Sequence, residues 1–127
     1  MARALRLWGP VVVWLAVTFT ASAQSEVGSI GRIPDWMTHG LEYFVLGTLL
    51  CRAVAGGFGR RLSVGSALLV VALGVSWGVS DEWHQSFVPP RESSAADVLK
   101  DLAGCLLAAL AWRALTASGS RRESEAA

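Results

Sequence analysis

Two stretches of 19 residues, 7–25 and 62–80, contain no Asp, Glu, Lys or Arg. At about 1.5 Å of rise per helical residue, each is long enough to cross a hydrocarbon core of about 30 Å. Two further runs, 35–54 and 95–115, are clean over residues 43–51 and 102–112 and polar where they begin. The chain has 127 residues, of which 53% are hydrophobic. This pattern implies an all-α integral membrane protein, a four-helix transmembrane bundle forming one domain over residues 1–116. Its spans fall at about 7–25, 35–54, 62–80 and 95–115, with residues 117–127 expected as a disordered cytoplasmic tail. The first run has an alternative reading as a cleaved signal peptide covering residues 1–23. Arg3 and Arg6 precede it and Ala21-Ser22-Ala23 offers a small-x-small site. Cleavage would leave an odd number of spans.

Charge gives the expected orientation. With four spans, Arg3, Arg6, Arg52, Arg60, Arg61, Arg113, Arg121 and Arg122 share one side, and Arg32, Arg91 and Lys100 the other. Basic residues concentrate on the cytoplasmic side of membrane proteins. The reading is therefore N-in/C-in, a multi-pass protein of the cell membrane with its polar motifs extracytoplasmic and the lipid bilayer as its first partner. A net charge of +1 with scattered arginines excludes a general nucleic-acid surface. Cys51 and Cys105 lie in apolar runs with no CxxC or Cys/His partner, so both read as small buried hydrophobes.

The polar residues cluster at the outer ends of the spans. Asp35, His39 and Glu42 are spaced i, i+4, i+7 and share a helix face, with Glu42 roughly 10 Å deeper than Asp35. Asp97 and Asp101 repeat the i, i+4 spacing beside Lys100. Ionisable groups at such depth face a bundle interior or a wet cavity. The polar faces of the second and fourth spans are thus expected to meet in a pocket open to the outside. Asp35, His39, Glu42 and Tyr43 would form one wall, and Asp97 and Asp101 the other. Asp81, Glu82, Gln85 and Arg91 would form a lid. Pro89-Pro90 stiffens the approach to Arg91, whose guanidinium suits an anionic group.

Each feature also has a plain structural reading. Ser94 and Asp97 fit a capping box. His39 could be a hydrogen-bonding core residue, and Lys100 an ion-pair partner or a snorkelling side chain. Gly74 and Gly78 permit close helix contact, within the bundle or as a homo-oligomer seam. For chemistry, His39 is the candidate general base with Asp35 orienting it, and Glu82 is a further catalytic candidate. The oxygens of Glu42, Asp81, Glu82 and Asp101 are candidate ligands for a divalent cation, the only cofactor the residues suggest.

Three segments resemble the VanZ-like membrane proteins, a family named for a protein associated with teicoplanin resistance. They are Ala23-Gln24-Ser25; the run from Asp35 through His39 and Tyr43 to Gly47; and Asp81, Glu82, Gln85, Phe87, Pro89, Pro90 and Arg91 followed by Asp97, Asp101 and Gly104. The resemblance spans about residues 14–112. Trp36, Pro90 and Asp101 stand where the family pattern has lysine, glycine and asparagine. The resemblance implies an envelope-related role in recognition or protection, with a glycopeptide or a lipid-linked precursor as ligand. The alternative is a membrane enzyme acting on a lipid-linked substrate, with or without metal assistance.

Overall fold

The computed structural model describes the backbone of residues 1–23, 35–88 and 93–125, and their side chains except at 35–38 and 118–125. The fold is all-helical, with α1 Ala2–Ser22, α2 Asp35–Ala55, α3 Val64–Gln85 and α4 Ala95–Glu125. All four helices lie where the sequence places its runs, with different limits. Helix α1 starts at Ala2, before the uncharged run. Helix α3 continues past residue 80 to Gln85, and α4 runs to Glu125 through most of the stretch expected as a tail. Among the described residues, α1 and α3 are long and apolar enough to cross a membrane.

The α2–α3 turn follows from its glycines. Gly56 has φ +81°, a left-handed conformation that L side chains rarely adopt. Its N–H reaches the Ala53 carbonyl at 3.2 Å, and the Gly57 N–H reaches the Arg52 carbonyl at 2.9 Å. This paired closure satisfies carbonyls that the helix end would otherwise orphan. Helix α3 then starts from Ser63, whose hydroxyl accepts the Ser66 N–H at 3.0 Å.

Helix α4 packs mainly on α2 and next on α3, while α1 leans on α2. The α2–α4 crossing is almost backbone to backbone. A Cβ at Gly104 would stand 2.6 Å from the Gly40 carbonyl oxygen and 2.9 Å from the Phe44 nitrogen. The buried stripe of α3 runs Val70, Gly74, Gly78, then Glu82 and Gln85, a helical repeat that passes from apolar through small to polar. Gly74 makes room for the Cys105 thiol and Gly78 for the Asp101 carboxylate. Both glycines are thereby occupied inside the chain. Cys51 and Cys105 are unpaired and fully buried. Leu46, Leu50, Val70 and Trp112 complete the core around them. The outer surface is apolar too: Val12, Val13 and Val17 of α1, Leu68 and Leu69 of α3, and Leu106, Leu107 and Leu110 of α4 are exposed.

Candidate functional site

The interhelical hydrogen bonds sort into two ends. At one, Arg52 late in α2 reaches back to the start of α1, and Arg113 and Trp112 of α4 reach the loop before α3. At the other, the end of α1 meets the end of α3, and the N-terminal parts of α2 and α4 meet each other. The helices therefore alternate in direction. One end gathers arginines and the other gathers carboxylates.

At the acidic end, α3 continues as helix beyond residue 80, so Asp81, Glu82 and Gln85 stand on its last turns rather than in a loop lid. Asp81 and Gln85 are one turn apart, and the Gln85 amide donates to Asp81 Oδ2 at 2.7 Å. Asp81 Oδ1 accepts from the Ser22 hydroxyl at 2.6 Å. The carboxylate is thus satisfied on both oxygens and ties α1 to α3. Ser22 was not among the residues anticipated for the site. In sequence it is one small residue in an apolar run, and only its position opposite Asp81 gives it a role.

Asp101 lies 1% exposed in the notch beside Gly78. Its Oδ1 is 3.2 Å from His39 Nδ1, joining α4 to α2. The two polar faces do meet there, as the spacing predicts. Asp101 is one partner of His39; the sequence suggested Asp35 to orient the ring, and the Asp35 side chain lies outside the described residues. Glu82 is 5% exposed. Its Oε2 accepts the Ser94 backbone N–H at 2.7 Å, and its Oε1 is buried with no hydrogen-bond partner among the described residues.

The start of α4 departs from the expected capping box. The Ser94 hydroxyl accepts the Ala96 N–H at 3.2 Å. The Ser94 N–H, which a capping box would give to Asp97, goes to Glu82 instead. Asp97 is thus free of that duty. It pairs with Lys100 one turn on and faces His39 and Glu82. One ligand atom from each of His39, Glu82 and Asp97 lies within 4.8 Å of the other two.

The remaining anticipated residues divide. Tyr43 is buried in the core one turn below His39, and its carbonyl accepts from the Cys105 thiol at 3.5 Å. Glu42 lines a groove between α1 and α2 with Trp14, Val17 and Thr18, and its carbonyl accepts from the Trp14 indole at 3.2 Å. His39 and Glu42, read as one face, therefore look toward different neighbours of α2. Arg91, Pro89 and Pro90 lie outside the described residues, as do Gln24 and Ser25. Asp81, Glu82, Gln85 and Asp101 are buried, and His39, Asp97 and Lys100 are part-buried.

No protein-family model, curated protein or solved structure matches the chain. The resemblance to the VanZ-like proteins rests on the motif residues themselves.

Proposed function

We propose that the chain is a four-span integral membrane protein, N-in/C-in, whose acidic end faces outward and binds the polar part of an envelope amphiphile. The ligand would be a lipid-linked precursor or a glycopeptide, in the recognition or protection role that the VanZ-like motifs imply. The observation that carries this reading is the convergence of His39, Asp81, Glu82, Asp97 and Asp101 from three helices on one end of a bundle with an apolar outer surface. Charged groups are costly at membrane depth and cluster there for binding or transfer. α2 and α4 would cross the bilayer with these groups turned inward, and their close glycine contacts supply the packing on which helix association in lipid depends.

The carboxylates favour a cationic group on the ligand, and Arg91 is the residue suited to its anionic group. A charged hydrogen bond is worth about 1.5–3 kcal/mol, so Arg91→Ala is expected to weaken binding of a fluorescent precursor or glycopeptide about tenfold or more. Unchanged binding together with unchanged drug tolerance in cells sinks the reading.

One observation favours the enzyme alternative. His39 has its Nδ1 beside the buried Asp101 carboxylate, a pairing that suits an imidazole acting as a general base. In that case His39→Ala abolishes turnover of a lipid-linked substrate while the protein still inserts. A variant that keeps full turnover removes this alternative.

A further inference from the structure

We propose that His39, Glu82 and Asp97 form a binding site for one first-row divalent cation of the Zn²⁺ or Mn²⁺ class. The site stands on side-chain geometry and is independent of the ligand reading above. Three donors come from three helices, α2, α3 and α4, with one ligand atom of each within 4.8 Å of the others. Donors sharing such an ion stand roughly 3–3.5 Å apart, given bonds of about 2.1 Å, so small side-chain rotations close the set. One imidazole nitrogen and two carboxylates suit Zn²⁺ or Mn²⁺ better than Ca²⁺, which prefers oxygen alone.

A second, separate observation points to the cation. Glu82 Oε1 is buried and accepts no hydrogen bond among the described residues. A buried carboxylate oxygen without a donor is unfavourable, and a bound cation resolves it. Each ligand is also held from behind. The Ser94 N–H fixes the other Glu82 oxygen at 2.7 Å. Asp101 contacts His39 Nδ1 at 3.2 Å. A carboxylate behind a ligating histidine is a recurrent support in metal sites. Lys100 holds one oxygen of Asp97, and a carboxylate has two. The set differs from the four acids that the sequence suggested. Glu82 is common to both, while Asp81 has both oxygens engaged, Asp101 stands behind His39, and Glu42 lines the α1–α2 groove.

The test is metal content and affinity of the purified full-length chain in detergent, loaded separately with Zn²⁺ and Mn²⁺. The expected result is one ion per wild-type chain. Glu82→Gln and His39→Gln should each weaken binding by more than about 100-fold, and Asp101→Asn by about 10–100-fold as an outer-shell change. Helical circular dichroism and monodisperse elution check folding. Should Glu82→Gln misfold, the part-buried Asp97→Asn carries the same expectation. Absence of stoichiometric metal in the wild type overturns the proposal, as does equal retention by folded His39, Glu82 and Asp97 variants.

Discussion

The two ends of the bundle use their polar residues in opposite ways. At the basic end, side chains complete the backbone. Pro10 inside α1 has no N–H to give the Arg6 carbonyl, and Arg52 Nη2 supplies the missing donor at 2.8 Å. Arg113 does the same for the Leu62 carbonyl at 2.8 Å, and the Trp112 indole for the Arg60 carbonyl at 3.0 Å. Arg52 also lies over the Phe58 ring, 5.2 Å from its centroid. At the acidic end, Ser22 and His39 meet Asp81 and Asp101 across helices, the Ser94 N–H donates to one Glu82 oxygen, and among the described residues the other Glu82 oxygen is buried without a donor. Polar groups that close helix ends and loops read as structure. Polar groups that converge around an unsatisfied carboxylate oxygen read as a site.

Substitutions at each end can break this contrast. The largest effect is expected at Gly78. A Cβ there would stand 2.6 Å from Asp101 Oδ2, so Gly78→Val should destabilise the bundle by about 3 kcal/mol in denaturant titration and lose metal binding as well. Next comes Arg52→Ala. It orphans the Arg6 carbonyl and should cost about 1.5–3 kcal/mol while leaving metal affinity unchanged; a loss of affinity would blur the distinction between the ends. Ser22→Ala removes the α1–α3 tie and should cost about 1 kcal/mol. The smallest effect belongs to Lys100→Gln. Its part-exposed pair with Asp97 is worth about 0.3–0.5 kcal/mol, yet removing the ammonium should raise metal affinity, because Asp97 is then released to the ion.

How much of this was legible in the sequence depends on the range of the interaction. The four helices follow from local signals: two uncharged runs and two runs that are clean after a polar start. The meeting of His39 with Asp101 follows from two polar helix faces. The continuation of α3 through Asp81 and Glu82 does not, because charge reads locally as the end of a span. Those carboxylates are accommodated by Ser22, 59 residues away, and by the Ser94 N–H, 12 residues away. The parting of His39 from Glu42 is invisible for a related reason. Helix α2 has neighbours on several sides, so residues one turn apart meet different helices. The role of Asp97 turned on a competition for the Ser94 N–H that only the fold decides.

The most direct test of a bilayer-spanning protein with its acidic end outside is the sidedness of two single cysteines. Ser86 follows α3 at the acidic end and Ala117 lies late in α4, on the side of the basic end; both are exposed. Cys51 and Cys105 are fully buried, so they give little background. Ser86→Cys should react with a membrane-impermeant maleimide on intact cells, and Ala117→Cys only after lysis. Labelling of Ala117→Cys with protection of Ser86→Cys would contradict the orientation, and labelling of neither or both in intact cells would contradict the two-ended account.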